Sequence, residues 1–250
     1  MLLKIIKKIM PEGVKNYFKK RRLLLAKRWM PEYSRYAYSQ EGEDLVTARL
    51  LESDSYKRPG FYVDIGAHHP KKYSNTQYFY ERGWSGLNVD ACEEAMKEFA
   101  LHRKRDINLT NGVGEKEGML AFHEFNSPAL NSFNAELSEA RNAEAQFKII
   151  GKKMVPVRTL KSILAEHLPT GTIIDFMSVD VEGLDLEVLR SNDWERFRPV
   201  LLLVEDGPFK SIQEARQGSI AEFMTSQHYE FVSKTALTLF FEDKKQAALP

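Results

Sequence analysis

Six acids and two histidines in this chain fall where they could do chemistry. Asp64, Asp90, Asp180 and the pair Glu205 and Asp206 each close a short apolar run, read as "FYVD", "SGLNVD", "DFMSVD" and "LLLVED". Glu182 follows two residues after Asp180 in "DVEG". One carboxylate at a strand end could simply cap the next helix. Four runs ending this way argue for a shared acidic edge, where turns and helix N-termini converge on a ligand.

The stretch "FYVDIGAHHP" carries the first of these acids and a turn at Gly66, and Asp90 lies 24 residues beyond that glycine. That is the spacing of a glycine turn and a ribose-binding acid on neighbouring strand tips, which suits a nicotinamide dinucleotide or an adenosyl cofactor. A pyrophosphate needs G-x-G-x-x-G to approach the backbone, and here the turn is "GAHHPK". S-adenosylmethionine has no phosphate, and its sulfonium and ammonium groups suit carboxylates such as Asp64. His68 and His69 are sequence neighbours, which rarely chelate one ion; a turn role or a polar contact to substrate ranks ahead of a metal site.

These residues need a scaffold that brings strand ends together. Apolar runs at "GFYVDIG", "SGLNVD", "GTIIDFMSVDVEG" and "RPVLLLVEDG" read as buried parallel strands. They alternate with helical patterns at "GEDLVTARLLES", "NTQYFYERGW", "CEEAMKEFALHRK", "LDLEVLRSNDW" and "IQEARQGSIAEFMTSQ". "GMLAFHEF" alternates like an antiparallel or edge strand, "NAELSEARNAEAQFKII" reads as helix, and "MVPVRTLKSILAEH" as a short strand entering a helix. "YEFVSK" and "LTLFFED" read as a terminal hairpin. The fold class is therefore α/β, a doubly wound and mostly parallel sheet with a terminal antiparallel hairpin.

The 250 residues, 43% of them hydrophobic, suffice for one such domain and an N-terminal extension. One cysteine, Cys92, excludes an internal disulfide and a thiolate zinc cluster and suits a reducing cytoplasm. Residues 1–35 hold eleven Lys or Arg against two Glu, so the other 215 carry a net −8 under a total of +1. "MLLKIIKKIM" puts Leu2, Ile5, Ile6 and Ile9 on one helical face and lysines toward the other. Residues 1–37 thus read as a basic amphipathic extension before a domain over 38–250, suited to an anionic membrane surface at the inner face or to packing on protein. The acidic remainder disfavours nucleic acid. No run approaches the length of a spanning helix.

The runs "SQEGEDL", "VDIGAHHPKKYSNTQYFYERGWSGLNVDA", "RDINLTNGVGEKEG", "PALNSFN" and "SVDVEGLDLEVL", in that order, resemble the FkbM family of S-adenosylmethionine-dependent methyltransferases over residues 38–242. The resemblance implies a Rossmann-like fold with a seven-stranded sheet and methyl transfer to oxygen, often on sugars. It assigns Asp64, Gly66 and Ala67 to the cofactor turn and Asp90 to the ribose. Ser39, Gln40 and Asp44 match a segment expected to close over the methionine end of the cofactor, with Asn75 and Thr76 beside it. His68 and His69 depart from the Asn and Gly common at those positions.

A sugar hydroxyl has a very high pKa, so its methylation calls for a base, and a divalent cation would help. By similarity to metal-dependent sugar methyltransferases, Asp180, Glu205 and Asp206 are expected to hold Mg²⁺, with Glu182 as the base. The competing assignment gives Asp180 and Glu182 to helix capping and cofactor contacts without a metal. Asn131, in an irregular loop, is a candidate for the acceptor side. The expected activity is O-methylation of a sugar in a glycan, glycolipid or related metabolite. Its alternatives are a non-catalytic membrane-associated module on the same fold and a nicotinamide-dependent oxidoreductase. Self-association stays open, and the acceptor is not identified.

Overall fold

In a computed structural model of the protein, the described residues are 35–51 and 59–245. Most of the basic extension, with its expected membrane or protein contact, lies outside them.

The apolar runs form the centre of the molecule. β1 (Phe61–Ile65) pairs in parallel with β2 (Ser85–Asp90) on one side and β7 (Phe176–Val179) on the other. β2 continues to β3 (Ile107–Thr110), and β7 to β8 (Leu201–Glu205), both in parallel. β10 (Thr238–Asp243) then pairs antiparallel with β8, and β9 (Tyr229–Lys234) antiparallel with β10. The seven-stranded order is β3-β2-β1-β7-β8-β10-β9. This is the expected sheet with its terminal hairpin. The chain reverses its direction of sheet growth between β1 and β7, the place where open α/β sheets bind ligands.

Alternate residues of each strand feed opposite layers, which is why the runs look continuously apolar. Val63, Ile65, Leu87, Val89, Met177 and Val204 pack with α5 (Leu160–His167), α6 (Asp185–Arg190) and α8 (Ser219–Ser226). Tyr62, Phe176 and Leu203 pack the other face with Phe79 and Trp84, against α1 (Glu43–Leu51) and α2 (Gln77–Tyr80). The Phe79 and Phe176 rings sit 4.6 Å apart, a pair contributing about 1 kcal/mol beyond its buried area. α3 (Glu93–His102) packs Met96 and Phe99 with Ala67 of the glycine turn.

Between β3 and α5 the chain makes an excursion. β4 (Gly112–Val113), β5 (Gly118–Phe125) and β6 (Ile149–Arg158) form a second sheet in the order β4-β6-β5. α4 (Ala135–Ala143) lies between β5 and β6 in the chain. The helix expected through Ile150 stops at Ala143, and the short strand expected near Met154 is ten residues long. Antiparallel pairing with β5 from Ile149 to Val157, which buries Val155 and Val157, overrides the weak helical pattern of this segment. The helix expected after Ser211 is two. α7 (Ile212–Arg216) opens with a reciprocal capping box between Ser211 and Glu214, and Gly218 starts α8 afresh.

Candidate active site

A cavity of about 580 Å³ opens at the reversal point, a volume typical of small-molecule sites. The turn after β1 forms its base. Gly66 has φ +81°, and a Cβ there would overlap the carbonyl oxygen of Asp180, so glycine is required by conformation and by the close approach of β1 and β7. Its N–H, like that of Ala67, donates to the Val89 carbonyl, binding the turn to β2.

Asp90 closes β2 and is held by two backbone donors, the N–H of His68 at 2.8 Å and of Cys92 at 2.7 Å, one to each carboxylate oxygen. Each oxygen keeps a lone pair, enough to accept from the two hydroxyls of a ribose. Burial pushes the Asp90 carboxyl above its ordinary range, against those two N–H groups. Asp64 is buried beside it and accepts from the Thr76 hydroxyl at 3.0 Å. Burial raises its pKa to about 6, opposed by the Thr76 hydrogen bond and the Arg103 charge.

His69 has a turn role, its Nδ1 accepting from the N–H of Lys71 and of Lys72. His68 lines the cavity at φ +53°, its Nε2 buried without a partner, and burial and Lys72 lower its pKa to about 4. It is a neutral, polar wall at pH 7.

The second acidic group sits at the ends of β7 and β8. Asp180, Glu182 and Glu205 each present a carboxylate oxygen within 4.8 Å of the others. Asp206 does not join them as expected. Its carboxylate pairs with Lys210 at 2.8 Å and faces a separate, smaller pocket, because consecutive residues at a strand end point in opposite directions. Asp180 is pushed well above the carboxylate range by burial and by Glu205, and its Oδ1 is buried without a partner. Burial and Asp180 raise Glu182 to about 7, and burial and Glu182 raise Glu205 to about 7.

Glu182 has φ +57°, an uncommon conformation outside glycine that the surroundings enforce. Asp185 accepts from the N–H groups of Val181 and Gly183, at 3.0 and 3.1 Å. From the excursion, the Ser132 hydroxyl donates to the Glu182 carbonyl and the Asn134 amide to that of Gly183. Arg141 of α4 closes the group, donating to Glu182 at 2.5 Å.

The segment before α1 divides differently from expectation. Ser39 and Asp44 bond to each other at 2.8 Å, and Asp44 also accepts from the N–H groups of Tyr38 and Leu45, so this pair caps α1. Gln40 and Glu43 line the cavity instead. Asn75 lines it too and donates to Ser178 at 2.9 Å, while Thr76 lies behind the wall, fully buried. Asn131 lines the cavity but spends its side-chain oxygen on the Phe125 N–H. Glu43, Ser132, Asp185 and Arg141 went unnoticed in the sequence. Of these, Glu43 and Asp185, the latter two residues after "DVEG", carried a local signal, that of a helix-start acid.

A Rossmann-like sheet with an acid-lined cavity at its reversal point is the architecture that binds nucleoside cofactors. The methyltransferase FkbM domain matches residues 64–231. The chain belongs to the FkbM family of S-adenosylmethionine-dependent methyltransferases. Among solved structures it is similar to the Burkholderia thailandensis 1,6-didemethyltoxoflavin-N1-methyltransferase with bound 1,6-didemethyltoxoflavin and S-adenosylhomocysteine. That likeness covers 93% of this chain and 85% of the other at 14% identity and a TM-score of 0.36. Comparison with curated proteins gave no significant match. Among the described residues, no helix is long and apolar enough to cross a membrane.

Proposed function

We propose that this methyltransferase acts on oxygen, methylating a hydroxyl of a sugar in a glycan, glycolipid or related metabolite. The observation that carries the reading is the convergence of Asp180, Glu182 and Glu205 on the cavity that Asp64 and Asp90 also line. Asp64 and Asp90 serve the donor, and the three acids of β7 and β8 serve the acceptor. Acids dominate the charged lining over Lys72 and Arg141, which repels an anionic acceptor and offers a neutral polyol many hydrogen-bond acceptors.

S-adenosylmethionine supplies a methyl group already activated by its sulfonium. The protein must align an oxygen with that carbon and take the oxygen's proton. Glu182 is the base in this scheme, oriented by Arg141 and by the turn that Asp185 and Ser132 pin. Its carboxylate receives the hydroxyl proton as the oxygen bonds to the methyl carbon and the carbon–sulfur bond breaks.

Of the Mg²⁺ set expected from the sequence, Asp206 pairs with Lys210 and is left out of this scheme. Asp180, with its unpartnered oxygen, and Glu205 fit a hard cation in donor type, and one or two carboxylates with water suffice for Mg²⁺. Those two residues would hold the ion, whose chemistry there is to polarise the acceptor oxygen.

Titration of S-adenosylmethionine and NADH against the same sample tests the donor. Labelled methyl transfer into a cell extract, followed by product identification, tests the acceptor. Label confined to protein or nucleic acid overturns the sugar assignment.

A further inference from the structure

Arg103 carries no signal in the sequence and touches neither proposed ligand. It is nonetheless the largest fully buried side chain among the described residues. Asp106, 3.3 Å from its Nη1, balances its charge. The donors on Nε and Nη2 go into the loop that follows β1. Nε donates to the Pro70 carbonyl at 3.1 Å. Nη2 donates to the hydroxyls of Ser74 and Thr76, each at 3.0 Å, and Nη1 to the Tyr62 hydroxyl at 2.8 Å. One guanidinium thus ties three points of the "AHHPKKYSNT" loop to the floor of the sheet.

The direction of these bonds matters. A guanidinium only donates, so the Thr76 oxygen must accept from Arg103 and can spend its single proton on Asp64, 3.0 Å away. That engages Asp64 Oδ2 from below and leaves the other oxygen for a ligand.

Resting on the donor assignment above, we infer that Arg103 and Thr76 form a buried relay that positions the Asp64 carboxylate for the cationic donor. Arg103 is a positioning residue in this relay and Asp64 the contact.

Isothermal titration of S-adenosylmethionine across pH tests the relay in the wild type and in Thr76→Val, Thr76→Ser and Arg103→Lys. Thr76→Val keeps the shape and removes the proton, so affinity should fall on the order of tenfold, as when a charged group loses a hydrogen bond. Thr76→Ser should restore it. Lysine keeps the charge but lacks the fork, so Arg103→Lys should also weaken binding. The groups acting electrostatically on Asp64 are Arg103, Asp106, Asp90, Asp180 and Tyr62, and the valine changes none of them. Binding lost as pH falls through about 6 in the wild type should therefore be lost at higher pH in Thr76→Val, which a merely structural role would not cause. Thermal melting identifies any variant that fails to fold, and Thr76→Val then decides alone. A folded Thr76→Val with wild-type affinity and pH midpoint overturns the relay. Absence of binding by the wild type overturns the donor assignment and the relay with it.

Discussion

Arg141 and Glu182 meet at 2.5 Å although they come from different sheets' connections, α4 of the excursion and the turn after β7. Their side chains are 20% and 17% exposed, so the pair is screened far less than a surface ion pair. Arg141 balances one charge in a group of three raised carboxyls, and the excursion thereby completes this side of the cavity.

If Glu182 takes the acceptor proton, Glu182→Gln keeps its size and should lower turnover by roughly a hundredfold or more. Arg141→Gln should lower it by on the order of tenfold, with partial rescue in Arg141→Lys. Labelled methyl transfer measures both, and affinity for S-adenosylmethionine should stay within about twofold, since neither residue serves the donor in this scheme.

Chelation addresses the ion. Activity should fall with EDTA and return with Mg²⁺, while Asp180→Asn and Glu205→Gln lose the response to Mg²⁺. Asp206→Asn should keep it, because its carboxylate belongs to Lys210. Turnover indifferent to EDTA removes the metal from the scheme.

The acid cluster should cost the free protein stability at alkaline pH. Glu182 and Glu205 have pKa values raised to about 7 in the folded state, above the ordinary glutamate range near 4.5. Folding therefore favours their protonated forms. That contribution is present below about 4.5 and is lost as pH rises through about 7. Glu205→Gln should melt higher than the wild type at pH 8 and by a smaller margin at pH 5, read by calorimetry on the ligand-free protein. A wild-type melting temperature that rises across this window contradicts the account.

Gly66→Ala should destabilise the protein by roughly 3 kcal/mol or more, combining a left-handed backbone cost with overlap against a main-chain oxygen that cannot move cheaply. Gly42 also has positive φ but meets nothing within 4 Å, so Gly42→Ala should show the conformational cost alone, about 1 kcal/mol. Chemical denaturation compares the two.

The parallel strands, their acidic ends and the hairpin were legible because burial on both faces writes an unbroken apolar run, and each run ends where the chain turns. Gly66 and Asp90 were legible because a tight turn and a neighbouring strand tip have a fixed separation along the chain. Ser39 and Asp44 match a motif, but a match cannot say which way a side chain points, and here these two face each other while Gln40 and Glu43 face the cavity.

By itself, then, the amino-acid order determined the parallel strands, the terminal hairpin and the acidic strand ends, since these depend on local periodicity and on neighbours a few residues apart. Only the tertiary structure decided that Glu182, not Asp206, stands with Asp180 and Glu205, and that Ile149–Arg158 is strand. It alone brought Arg141 to Glu182 and Arg103 beneath Asp64, residues 41 and 39 positions apart. Such pairings follow from how layers pack and which donors are left buried, and those choices are made by parts of the chain that meet only on folding.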